Sequence, residues 1–274
     1  MLVICIFTLP ETYPPVLLER KAKKLRKETG NQDLRAPSEL SGRTPGQLLL
    51  ANVIRPTKML VRAPIVFLLS LYIALVYGYL YIMFSTMTIV FEEQYGIGNG
   101  NIGLVFLGLG LGQVLGLFLF AGTSDRMLKK RAAKNNGVMT PEMRLPFLLH
   151  TSFFAPVGLL LYGWTAEYKV HWIVPIIGTC FISIGMICSF MPIGVYLVDA
   201  YTLYAASAMA ANTVLRSFGG ALLPLAGRRL YNTLGYGWGN SLLAFIAMLF
   251  IPMIWLLMRH AEYLRTSPRF QFKM

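Results

Sequence analysis

Charge is scarce in this chain, and acidity scarcer still. Asp, Glu, Lys and Arg make up 14% of the 274 residues, where a soluble domain carries about 25%. None of the 12 acids falls inside a long apolar run, so the runs hold no carboxylate of the kind a proton relay uses. Histidine and cysteine number three each. Cys5, Cys180 and Cys188 all lie in apolar sequence without metal-ligand spacing, which excludes a disulfide framework and predicts inert core thiols. Paired carboxylates, a Ser/His/Asp set and a His/Glu cluster are also missing, which argues against an enzyme and against a resident metal or cofactor. Residues 1–9 are apolar but lack a basic start and a small-residue cleavage site, so they make no signal peptide. They are also too short to cross a bilayer.

What is present is apolar length. Hydrophobic residues make up 55% of the chain, and mean hydropathy is +0.57. Six runs reach the ~20 residues that a membrane helix needs: 64–91, 102–123, 145–166, 172–198, 200–226 and 238–258. Membrane strands would alternate in polarity over about ten residues, and these runs are continuous. Backbone groups in lipid must bond within their own segment, so the expectation is an all-α polytopic membrane bundle of six spans. Residues 1–63 read as the end of a truncated span followed by a basic cytoplasmic linker, 64–258 as the bundle, and 259–274 as a tail.

The net charge of +13 would raise the question of nucleic acid in a soluble chain. Here the cations lie between and outside the apolar runs, so they read as topology signals and no nucleic-acid partner is expected. With alternating spans, 21 Lys and Arg fall on one side, in 1–63, 124–144 and the tail. Lys169, Arg228 and Arg229 fall on the other, and Arg216 lies within a run. The positive-inside rule then puts both termini in the cytoplasm and the 92–101 loop, with Glu92 and Glu93, outside. A short basic helix around 16–28 is expected to lie solvated or against anionic lipid, and 30–46 reads as disordered.

Some residues within the runs stand out. Gly108, Gly112 and Gly116 recur every fourth residue and form a helix face on which another backbone can pack closely. The Gly-Leu-Gly-Leu-Gly stretch around them lacks the preceding strand and polar mouth of a phosphate cradle. Tyr77, Tyr81 and Phe84 share one helical face, either as aromatic packing or as the lining of a cavity for an amphipathic ligand. Asn212, Arg216 and Gly219 share another. An intramembrane Arg costs ~2.5–3.5 kcal/mol on insertion scales, so Arg216 is expected at a functional site or as an internal pairing partner. Pro224 removes a helix hydrogen bond and predicts a bend.

Residues 10–31, beginning Pro-Glu-Thr-Tyr-Pro-Pro and continuing through Glu-Arg-Lys-Ala-Lys-Lys-Leu-Arg-Lys, resemble the start of the central loop of fungal drug:proton antiporters of the major facilitator superfamily. Tyr77-Gly-Tyr-Leu-Tyr with Phe91-Glu-Glu-Gln-Tyr-Gly96 is similar to their seventh span. Gly122-Thr-Ser-Asp125-Arg126, followed by Lys129, Lys130 and Arg131, resembles the second copy of their gating-loop motif. Asn212-Thr-Val-Leu-Arg-Ser217, Pro224-Leu225 and Leu234-Gly-Tyr-Gly-Trp-Gly-Asn resemble spans ten to twelve. The resemblance implies the C-terminal six-span half of that fold, itself a three-plus-three inverted repeat. It implies export of drugs, polyamines or other small organic molecules by proton antiport. Tyr77, Tyr81, Asn212 and Arg216 would then face the cavity, while Gly122, Asp125, Arg126 and Lys130 would brace the gate. The partners implied are the lipid bilayer, a small organic substrate, and a second six-span half or a second copy. Residence in the plasma membrane follows, with the vacuolar membrane as the alternative, and proton-coupling residues would belong largely to the other half. The competing expectation is a non-transporting fragment, or a regulatory subunit assembling with another membrane protein.

Overall fold

Every regular element among the described residues is helical, as the continuous apolar runs require. The structure is a computed structural model that describes residues 11, 14–31, 34–35, 45–98 and 100–266. Cys5 and most of 30–46 lie outside these. The described residues divide into two units, the first ending at Val53 and the second beginning at Ile54.

In the first unit, α1 (Pro14–Thr29) is the expected basic helix. Lys23 pairs with Glu19 at 3.0 Å, four residues apart. A second helix, α2, covers Pro45–Arg62. It was not anticipated within the polar linker, although Leu48, Leu49, Leu50, Val53 and Ile54 signal it.

In the second unit, α3 (Pro64–Tyr95) starts on a proline, whose fixed φ suits the first helical turn. It ends at Gly96, where φ of 64° lets the backbone turn back. The helix therefore carries Glu92 and Glu93 in its last turn rather than in a loop. A short helix, α4 (Ile102–Val105), leads into α5 (Leu107–Lys134). The second expected run stops at 123, yet α5 continues for three further turns. Lys and Arg are good helix formers, and their charge suits a helix C-terminus. A 3-10 turn (Pro141–Arg144), α6 (Leu145–Thr151) and α7 (Phe154–Glu167) form the third apolar stretch. The fourth is α8 (Ile173–Ala200), which a second 3-10 turn follows.

The last helical run, α9 (Ala205–Thr266), covers both remaining expected spans and stays helical across Pro224. Five described helical stretches are thus long and apolar enough to cross a membrane, where six were expected. The difference lies at Gly235, whose φ of 74° and ψ of 177° are not helical. Its neighbours show that the chain reverses there. Before it, Gly219 lies against Ala74, Leu223 against Gly78 and Gly227 against Ile82, so this limb ascends α3. After it, Tyr236 meets Glu93, Leu243 meets Tyr79 and Phe250 meets Tyr72, so the second limb descends α3. The Tyr231 hydroxyl also donates to Asn240 Oδ1 at 3.1 Å, across the reversal.

Close helix approaches hold the bundle together. A Cβ on Gly108 would stand 2.6 Å from the Ile176 carbonyl oxygen, and one on Gly112 would strike that of Cys180. Gly116 meets Ile184 and Ile187, and the Cys188 thiol bonds the Gly116 carbonyl at 3.6 Å. Gly158 and Gly178 bring α7 equally close to α8.

Ion pairs fasten one end of this unit. Arg144 Nε donates to Asp199 Oδ2 at 2.8 Å, and Arg265 Nε to Glu142 Oε1 at 2.7 Å. The Glu142 and Arg265 side chains are 13% and 29% exposed. Their pair should therefore exceed the ~1 kcal/mol ceiling of surface pairs, while falling short of the ~3–5 kcal/mol lost when a buried pair is broken. Glu142→Gln is expected to lower stability by about 1–2 kcal/mol, read by thermal unfolding in detergent. An unchanged transition would mean that the pair contributes nothing.

Candidate substrate-facing site

The face shared by Tyr77, Tyr81 and Phe84 meets the face shared by Asn212 and Arg216. Helix α3 and the first limb of α9 approach closely because Gly78, Gly219 and Gly220 leave room. The Arg216 guanidinium then lies 4.8 Å from the Tyr77 ring centroid and 5.0 Å from that of Phe190 on α8. Stacking on rings holds a cation by the negative charge of their faces. No described residue hydrogen-bonds Arg216 Nε, although that atom is buried. One turn earlier, Asn212 is 1% exposed and its Oδ1 has no partner among the described residues. Asn212 and Arg216 are the eighth and twelfth residues of α9.

The aromatic row continues outward. The Tyr77 and Tyr81 hydroxyls share a hydrogen bond of 3.3 Å. The Tyr81 ring meets Phe84 edge-on at 6.1 Å, and Phe84 stacks on Phe106 at 6.1 Å. Tyr81 and Phe84 remain 39% and 44% exposed. Phe106 and Phe190 were not foreseen, because each belongs to a different apolar run where one Phe among many carries no signal. The other residues predicted for function lie elsewhere. Gly122 has open space around it, and Asp125, Arg126 and Lys130 are exposed on the charged extension of α5. Neither Asp125 nor Arg126 forms an ion pair with a described residue. The pairs found nearby are Arg144–Asp199 and Arg265–Glu142 instead.

A polar cluster closes the opposite end. Glu167 Oε2 accepts from the backbone N–H of Tyr236 at 2.7 Å and of Gly237 at 3.2 Å. A carboxylate from α7 thereby caps the second limb, satisfying two N–H groups that the helix leaves free. Tyr236 donates its hydroxyl to Glu93 at 2.9 Å, and Trp164 Nε1 donates to Ser241 at 3.1 Å.

Residues 1–224 match the family model described as Major Facilitator Superfamily. The chain belongs to that superfamily. As a major facilitator protein it is a multi-pass membrane transporter-family chain, not an enzyme. The MFS-type transporter penM of Penicillium rubens is 56% identical over 266 residues, covering 97% of this chain and 52% of that protein. The MFS-type transporter tndD of Aspergillus flavipes is 52% identical, over 94% of this chain and 49% of its own length. The efflux pump radE of Floropilus chiversii is 47% identical, over 98% and 50%. The chain therefore spans about half the length of the curated relatives it matches. No solved structure matches it.

Proposed function

We propose that the chain forms the C-terminal half of a fungal exporter that moves drugs or other small organic molecules out by proton antiport across the plasma membrane. In this reading α9 crosses twice and the bundle has six alternating spans with both termini cytoplasmic. The directions of helix contact support it, since the limbs of α9 run in opposite senses along α3. The observation that carries the function is the exposed aromatic face beside Arg216 and Asn212, built from the middle of α3 and the first limb of α9. Major facilitator halves close a midplane site between them, and such a face suits one wall of it. The second wall comes from another six-span half or a second copy. Gly122, Asp125, Arg126 and Lys130 are assigned to the cytoplasmic gate, and proton coupling to the partner half.

The test expresses the chain in yeast stripped of its own efflux pumps, alone and with the N-terminal half of penM. Co-purifying halves are expected to lower accumulation of an amphipathic fluorescent dye, and a protonophore is expected to restore it. Co-purification without any change in accumulation would refute export and support a non-transporting subunit.

A further inference from the structure

We propose that this face selects an anionic aromatic compound, a carboxylate or phenolate on a flat apolar body, and that Arg216 is the group that reads the charge. The proposal rests on the export reading in one respect, that the face lines the transport cavity.

The charge of the face is one-sided: it carries Arg216 and no acid, although the Asn212 amide oxygen is an unmatched acceptor. Arg216 presents a buried Nε–H without a described partner. The Tyr77 and Tyr81 hydroxyls bond each other, and that single bond uses one of their two O–H protons, leaving the other to donate. Asn212, on the same side of the helix, brings a buried amide whose oxygen is unmatched and whose NH2 donates. Against these donors the two helices offer no carboxylate. On α3 the first acids are Glu92 and Glu93, more than four turns beyond Tyr77, and the first limb of α9 has none. A cation would thus find no counter-charge.

It would also find the aromatic faces taken. Tyr77 and Phe190 are the rings nearest the cluster's centre, and Arg216 already covers both. A polyamine would have to displace a tethered guanidinium from them, against its repulsion. An anion instead meets the guanidinium, accepting from Nε–H while Arg216 stays on its rings. Charge-assisted hydrogen bonds are the strong ones, and a low-dielectric site strengthens them. The Phe84–Phe106 stack, with interplanar angle 19°, supplies an adjoining apolar surface for a flat ligand body. The cluster therefore argues against the polyamine class among the substrates named above.

Matched photoprobes test this on the full chain in nanodiscs of neutral phosphatidylcholine. The probes are 4-benzoylbenzoate, its uncharged amide and the cationic 4-(aminomethyl)benzophenone, with adducts located by mass spectrometry. The acid is expected to label peptides containing 77–84 and 212–220 at least about tenfold more than either analogue. Arg216→Gln is expected to erase that excess, and Arg216→Lys to keep part of it. Equal labelling of this face by all three probes overturns the charge preference while leaving the face as a binding wall. Stronger labelling by the cation overturns it as well. No labelling here by any probe overturns both this proposal and the cavity assignment. The comparison of probes on the unaltered chain holds even where an Arg216 variant fails to fold.

Discussion

Gly112→Leu is expected to leave no monodisperse protein after detergent extraction, whereas Gly110→Leu, two residues away, is expected to extract and run normally. The contrast follows from what each position faces. A Cβ on Gly112 would strike the Cys180 carbonyl oxygen, and it would stand 2.8 Å from the Ser183 Cβ and 2.9 Å from the Cys180 Cα. Two of these atoms are backbone, which cannot rotate away as a side-chain tip can. Relief would require α5 and α8 to separate, and that contact continues through Gly108 and Gly116. Gly110 points elsewhere, with nothing within 4 Å of its Cβ position.

The smaller substitution separates propensity from packing. Replacing a helical Gly by Ala gains up to ~1 kcal/mol of intrinsic helix preference, and Gly110→Ala should keep that gain. Overpacking costs about 1–3 kcal/mol per inserted group, and the tight backbone contact puts Gly112 at the upper end, so Gly112→Ala should be net destabilising by about 2 kcal/mol. Thermal unfolding of both variants in one detergent reads the sign directly. A Gly112→Ala protein as stable as Gly110→Ala would mean that α5 and α8 are not in contact at this spacing.

The period of four in Gly108, Gly112 and Gly116 is visible in the sequence because helix geometry alone puts such residues on one face. Their partner helix is not, since α8 offers Ile176, Cys180 and Ile184, ordinary residues in an apolar run. The same limit governs the candidate site. Tyr77, Tyr81 and Phe84 share a face by spacing, and Asn212 and Arg216 share another, but only the folded bundle joins the two and adds Phe190 and Phe106. Arg216 stands out in the sequence because a cation in an apolar run is costly. What surrounds it was hidden, because ring contacts between distant helices leave no periodic mark. Apolar length predicted where helices begin better than where they end. Runs end where charge begins, yet α3 and α5 continue into charged sequence, carrying Glu92, Glu93, Asp125 and Lys130 on helices. The reversal at residue 235 was legible only as a gap between two runs. Its sharpness depends on a backbone conformation and on a carboxylate from α7.

That reversal supports the second large effect: Gly235→Ala is expected to destabilise the bundle by about 3 kcal/mol. Two terms contribute, backbone strain and the loss of a helix cap. The φ of 74° with ψ of 177° lies in a region essentially confined to glycine, where a side chain adds about 1–3 kcal/mol of strain. The new Cβ would also stand 3.0 Å from Glu167 Oε2, the atom that accepts from Tyr236 and Gly237 N–H. Pushing that carboxylate aside removes a helix cap, which by itself is worth about 1 kcal/mol. Glu167→Ala should lose the cap while leaving the backbone unstrained, and Glu167→Gln, which keeps an acceptor without the charge, should fall between. Each single variant loses the same cap, so the double variant Gly235→Ala/Glu167→Ala should be less destabilised than the sum of its parents by roughly the cap's worth. Strict additivity would mean that the alanine methyl leaves Glu167 in place and that strain alone explains the loss. A Gly235→Ala protein of unaltered stability would instead refute the left-handed turn, and with it the reversal that lets both limbs of α9 pack along α3.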